Sequence, residues 1–159
     1  MILAFVVCIG DIYFDSVTEN TDGDSRGQSS IGGKTMSNFE KVQAFYSAWA
    51  AGDLDGSLAQ CTDDLVWDNV PIKPFEGKER VRGFLEKFGR GMSNVSYEIK
   101  QHFEQDKFVV VEGVEKYDKD GHSVAVPYMA VFAFREGKIS EMRDYFDLGT
   151  VERQLGLRD

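Results

Sequence analysis

The sequence predicts an α+β fold, and three observations carry that expectation. Apolar residues recur at helical spacing in several segments between residues 38 and 88. From residue 95 the period changes to two and holds to residue 148. The turn signals "DKDG" and "REGK" then join successive period-two segments by short connections. Short connections make consecutive strands antiparallel neighbours, so helices cover one face of a mostly antiparallel sheet.

Taken in order, Phe39, Val42, Phe45, Tyr46 and Trp49 form one stripe, which predicts an amphipathic helix over 38–51. Ser37 with Glu40 three residues on is a capping-box pattern, and Gly52 ends the helix. Leu54, Leu58 and Cys61 predict a second, short helix. "LVWDNV" is a short strand stopped by Pro71 and Pro74. Val81, Phe84, Leu85 and Phe88 share one face of a third helix. The strands "VSYEIKQHF", "KFVVVEGVEKY", "HSVAVPYMAVFAF" and "ISEMRDYFDL" follow, and a short helix over about 150–156 closes the chain.

The 159 residues are enough for one domain with its own core, and 42% apolar and 13% aromatic content fit a globular protein. The formal net charge of -9 argues against nucleic acid and anionic membrane as partners, because both require a basic face. Two cysteines, Cys8 and Cys61, make no disulfide framework, and two histidines, His102 and His122, make no metal cluster. No metal and no cofactor are expected. A reducing, cytoplasmic location fits this cysteine usage, with Cys61 as a small core hydrophobe. The run "MILAFVVCIG" is too short to span a bilayer, and no Lys or Arg precedes it. Residues 1–35 read as a disordered leader or upstream extension, with Met36 as the natural start and 36–159 as a single domain; a targeting segment is the alternative.

Period two sorts the strand side chains by face. Met142, Asp144, Phe146 and Leu148 share one face of the last strand, and Arg143, Tyr145 and Asp147 the other. Val109, Val111, Gly113, Glu115 and Tyr117 share a face, as do Leu65, Trp67 and Asn69. Asp144 and Glu115 are thus carboxylates on apolar lines. Where these faces meet under the helices, burial raises the carboxyl pKa values, and two acids in one dry site split their titrations. Such a pair is acid–base equipment. Glu115 also fits a solvent-facing acid near a hairpin end, Asn69 ahead of Pro71 also fits turn chemistry, and Trp67 is core in any reading. The expected lining of Trp67, Trp49, Val81, Leu85, Met142 and Phe146 suits an apolar small molecule of terpenoid, steroid or polyketide size.

The element order and the stretches "WDNVP", "FEGKERV", "VEGVEKYDKDG", "AVFAFREGKI" and "MRDYFDL" resemble the limonene-1,2-epoxide hydrolase family. That family lies within the nuclear-transport-factor-2-like fold, with the SnoaL-like cyclases and ketosteroid isomerases. The resemblance covers about residues 37–156. It implies a cone-shaped, strongly curved sheet wrapped on N-terminal helices around a deep pocket, and a homodimer formed through the sheet. It assigns to Asp144 the role of the base that activates water, and to Asn69 that of holding the water. Trp67 stands where the family has a tyrosine, and Glu115 where an aspartate protonates the epoxide oxygen. Gly113 stands where an arginine bridges the two acids. The change to glutamate at 115 moves the carboxyl by one methylene, roughly 1.5 Å.

The activity implied is cofactor-free addition of water to an apolar epoxide. A cofactor-free isomerase or cyclase of the SnoaL or ketosteroid type is the alternative, needing one pocket carboxylate and a donor such as Trp67 or Tyr128. A non-catalytic binding module of the same fold is the third reading.

Overall fold

The computed structural model describes residues 36–158. The expected leader and the start at Met36 concern residues 1–35, outside the described residues. Within the described residues, helix α1 (Asn38–Ala50) and helix α2 (Leu54–Ala59) lead into strand β1 (Cys61–Asn69) and strand β2 (Lys73–Glu76). Helix α3 (Lys78–Phe88) precedes strands β3 (Met92–Gln105), β4 (Phe108–Lys119), β5 (His122–Arg135) and β6 (Lys138–Phe146), and helix α4 (Leu148–Gln154) follows. The strands form one curled sheet in the order β2-β1-β6-β5-β4-β3. Every neighbouring pair is antiparallel except β1 and β6.

Local chemistry fixes the element ends. The Ser37 hydroxyl accepts from the Glu40 amide at 3.1 Å, and Glu40 accepts from the Ser37 amide at 2.7 Å, closing the expected capping box. Asp120 and Gly121 between β4 and β5, and Glu136 and Gly137 between β5 and β6, all have positive φ. Two such residues in succession make the hairpin turn whose twist matches the flanking strands.

Three element boundaries differ from the sequence reading. Cys61 begins β1 rather than continuing the short helix, and it is fully buried there. Pro74 does not exclude a strand: β2 is an edge strand, where a missing amide donor costs no ladder bond. The last strand stops at Phe146. Asp147 caps α4 through Gly149 at 2.9 Å and Thr150 at 2.6 Å, so Leu148 belongs to the helix and not to the strand face.

The main core lies between α1–α3 and the inner face of the sheet, with Val42, Leu58, Leu65, Val81, Val109, Val111, Phe132, Ile139 and Met142 sealed inside. Phe45 and Tyr46 of α1 meet Phe132 edge-on, at 6.5 and 5.7 Å between ring centroids. A second cluster, Tyr117, Val124, Val126, Val151 and Leu155, seats α4 against β5. His102 and His122 are both exposed, and His102 stacks on Phe39. No helix among the described residues is long and apolar enough to cross a membrane.

Candidate active site

Register decides which side chains share a surface, because directly paired residues on neighbouring strands project to the same side. Asn69 pairs with Asp144 across the parallel β1–β6 junction, and the Val70 amide donates to the Asp144 carbonyl at 3.1 Å. Asp144 pairs with Ala130, Tyr128 with Phe146 and Gly113, and Glu115 with Val126 and Tyr97. Trp67, Asn69, Asp144, Tyr128, Gly113, Glu115 and Tyr97 therefore lie on one face. The two acids are two strands and four residues apart, at most about 16 Å between Cα atoms on a flat sheet. Curling shortens that span, and Tyr128 on β5 stands between them.

Each carboxylate is held by one aromatic donor. The Trp67 indole N–H donates to Asp144 Oδ2. The Tyr97 hydroxyl donates to Glu115 Oε1 at 2.8 Å. Trp67 is itself braced edge-on by Phe84 of α3 at 5.5 Å. Burial pushes the Asp144 carboxyl up to about 6; the indole N–H opposes the shift and the charge of Asp68 adds to it. Burial pushes Glu115 up to about 7; the Tyr97 hydroxyl opposes this and the charge of Asp144 adds to it. Both carboxyls are thus held above the usual carboxylate range, and Glu115 keeps its proton to higher pH than Asp144. That is the division of labour an acid–base pair needs.

Gly113 is occupied space rather than a gap. A Cβ built there would lie 2.3 Å from the Glu98 carbonyl oxygen and 3.2 Å from Tyr128 Cε1. The pairing of β3 with β4 shifts register between Ile99 and Gln101, so the bulged strand presses its backbone on Gly113. The ring of Tyr128 lies alongside. Tyr46 from α1 stacks on Tyr97 at 4.0 Å and meets Tyr128 edge-on at 6.2 Å, while Tyr97 meets Tyr128 at 6.0 Å. The three tyrosines thus form one ring cluster on the Glu115 side of the face. Sequence analysis placed Tyr46 on the stripe of the first helix and Tyr97 within the strand "VSYEIKQHF". The pairing of Tyr97 with Glu115 is set by a strand register that periodicity does not specify.

The structure brings Asp144, Glu115, Asn69 and Trp67 to one surface. Asn69 is buried, at 6% exposed. Val81 and Met142 are sealed in the core, and Phe146 packs against the α4 cluster. Trp49 and Leu85 line a separate groove of about 530 Å³ with Leu54, Met92 and Val95, and neither acid borders it. Arg143 turns to the other face and pairs with Glu141 at 2.7 Å. Among the described residues, no group of three His, Cys, Asp or Glu side chains could hold a metal ion.

A profile of the SnoaL-like domain matches residues 42–142. Epoxide hydrolase EphG of Mycobacterium tuberculosis is 30% identical over 109 residues, covering 67% of this chain and 71% of that one. The solved structure of an M. tuberculosis LEH-like epoxide hydrolase superposes with a TM-score of 0.66 at 25% identity, covering 75% of this chain and 93% of the other. A putative polyketide cyclase from Pseudomonas putida superposes with a TM-score of 0.64 at 25% identity, covering 75% and 98%. The chain belongs to the SnoaL-like domain family, with a nuclear-transport-factor-2-like fold.

Proposed function

We propose that the protein adds water to an apolar epoxide without a cofactor. The observation that carries this reading is the pair of acids on one face, each gripped by an aromatic donor and both raised by burial, Glu115 further than Asp144. Ionised Asp144 takes a proton from a water held by the Asn69 carboxamide. The water oxygen forms a bond to one epoxide carbon as that carbon's bond to the ring oxygen breaks. The ring oxygen receives the Glu115 proton. Glu115 ends as a carboxylate and Asp144 as an acid, and proton return between them resets the site. The Tyr97 hydroxyl stabilises the Glu115 carboxylate at the moment it forms, one task of the absent arginine. The likeness to epoxide hydrolase of M. tuberculosis, in sequence and in solved structure, supports the same reading.

The test is diol formation from limonene oxide or cyclohexene oxide in ¹⁸O-water, with an Asp144→Asn control. One labelled oxygen per diol, formed faster than by the control, is the expected result. Turnover no faster than the control removes the reading. The pH profile is a second expected outcome. Activity rises as Asp144 ionises through about 6 and falls as Glu115 loses its proton through about 7. The kcat/KM profile is therefore a narrow bell centred between these values.

The second reading is a cofactor-free isomerase or cyclase. It is favoured by the buried Tyr46 and Tyr128 hydroxyls beside the acids, which suit a developing enolate. Solvent deuterium entering a bound ketone at its α-carbon, without diol formation from epoxides, would select it. If both carboxyls titrate near 4 by NMR, only a binding module is left.

The outer sheet face supports a homodimer. Met129 and Tyr145 pair across β5 and β6 there and are 45% and 43% exposed, with Phe103 on β3 65% exposed. The expected mass by light scattering is about twice the 17.9 kDa of the chain, and Met129→Glu shifts it to the monomer. A cytoplasmic location is part of the same proposal and rests on cysteine usage.

A further inference from the structure

Trp67 reaches Asp144 from the neighbouring strand, and its indole has to lean along the sheet to do so. The register pairs Trp67 with Met142 and Asn69 with Asp144, so the indole N–H meets a carboxylate two residues further along β6. An indole turns about two side-chain bonds, and packing against its ring is what selects one orientation. Trp67 is only partly buried, so enclosure alone does not lock it. The ring that meets it is Phe84 of α3, edge-on at 5.5 Å between centroids and 81° between planes. Phe84 is backed in turn by Phe75 of β2 at 4.3 Å and by Phe88, one turn further along α3, at 5.8 Å. Phe75 pairs directly with Trp67 across β1 and β2 and is 6% exposed. The start of α3 is seated on β1 and α2. The Gly77 amide donates to the Leu65 carbonyl at 2.8 Å, Lys78 pairs with Asp63 at 2.7 Å, and Arg82 pairs with Asp55 at 2.8 Å. The helix therefore delivers Phe84 to a fixed place against the indole.

That contact bears on the chemistry because of what the indole holds. Burial raises the Asp144 carboxyl, and the Trp67 N–H opposes the shift. The other titratable groups that act on or feel Asp144 are Asp68 on β1, Glu115 on β4, and the hydroxyls of Tyr46 on α1, Tyr97 on β3 and Tyr128 on β5. None of these is a cation. Arg143, next in the chain, lies on the opposite face and is paired with Glu141 at 2.7 Å. The indole N–H is thus the group that favours the ionised form. We infer that Phe84 is a positioning residue for the base: its ring edge holds the Trp67 indole in the orientation that donates to Asp144. This rests on the epoxide-hydrolysis reading for what the base then does; the coupling of Phe84 to the carboxyl through Trp67 is independent of it. Leucine at 84 keeps an apolar side chain but removes the ring edge, and the indole then leaves the carboxylate for part of the time.

The test is ¹³C NMR titration of the Asp144 carboxyl in the full chain, in the wild type, Phe84→Leu, Trp67→Phe and the double variant. Losing a hydrogen bond to a charged group moves a carboxyl by about one pH unit or more. Phe84→Leu is expected to raise the midpoint by about one unit, and Trp67→Phe by at least as much. In the Trp67→Phe background, Phe84→Leu adds no more than about 0.3 unit, because the donor it positions is gone. Phe84→Tyr keeps the ring edge and titrates within about 0.3 unit of the wild type. A merely structural role lowers the melting temperature and leaves this midpoint in place. If Phe84→Leu does not fold, Phe84→Met is read in its stead. An unmoved midpoint, or the same shift with and without the indole, overturns the inference. Diol formation is read on the same preparations, where the acidic limb of kcat/KM moves with the midpoint. A midpoint shift with no diol formed by the wild type sinks the hydrolase reading alone. Diol formation with the limb and midpoint unmoved in Phe84→Leu sinks the positioning role alone.

Discussion

Asp144→Asn is expected to lower kcat for diol formation by about a thousandfold, with KM changed little. General-base catalysis by a positioned group contributes roughly 10²–10⁴-fold, and a carboxamide takes no proton at neutral pH. The substitution is close to isosteric. The Asn oxygen accepts the Trp67 indole N–H as the carboxylate does, so the site keeps its shape while losing its chemistry. Stability moves in the opposite direction. Asp144 and Glu115 both have folded-state values raised above the unfolded ones. A raised carboxyl contributes stability that is full below its unfolded value near 4 and is lost as pH rises through its folded value. The wild type is therefore more stable at pH 5 than at pH 8, by on the order of a few kcal/mol from these two groups. Asp144→Asn and Glu115→Gln each flatten that dependence and melt higher than wild type at pH 8. An inactive variant that also melts lower at pH 8 would mean that Asp144 is a structural ion, and the catalytic proposal would fall.

Gly113→Arg restores the residue that bridges the acids in the limonene-1,2-epoxide hydrolase family, yet it is expected to damage the protein. Its Cβ would sit 2.3 Å from the backbone oxygen of Glu98, a contact that no side-chain rotation relieves. Overpacking of this kind costs on the order of 3 kcal/mol or more, since the β3 backbone has to move. Gly113→Ala brings the same Cβ and is expected to lose nearly as much stability in chemical denaturation, which shows that sterics and not charge are responsible. Neither variant gains activity. An arginine variant with wild-type stability and faster turnover would show that the tyrosine cluster is not the replacement for the cation. Gly113, the bulge in β3 and the ring of Tyr128 beside it are one packing arrangement, so changing residue 113 alone does not make room for an arginine.

The strand faces that carry the acids were legible in the sequence, and the partners of the acids were not. Alternation placed Asp144 between Met142 and Phe146, and Glu115 in line with Gly113, because a strand's period of two is a local property of the backbone. The helical stripe from Phe39 to Trp49 and the capping box at Ser37 were likewise local. The strand Lys73–Glu76 went unread because a proline is tolerated in a strand only at a sheet edge, and only the finished sheet decides which strand lies there. Trp49 and Leu85 share apolar helix faces with core residues, but the meeting of α1, α3 and β3 turned them to a different groove.

The sequence by itself determined the class of fold, the succession of the last four strands and the face of each strand on which the acids lie. Only the tertiary structure decided that Trp67 grips Asp144, that Tyr97 grips Glu115, and that Tyr46 and Tyr128 pack with Tyr97 into one cluster. The physical reason is that faces follow from bonds along one chain, whereas these contacts depend on the registers of β1 with β6 and of β3 with β4. Register is settled by the simultaneous packing of every strand and helix.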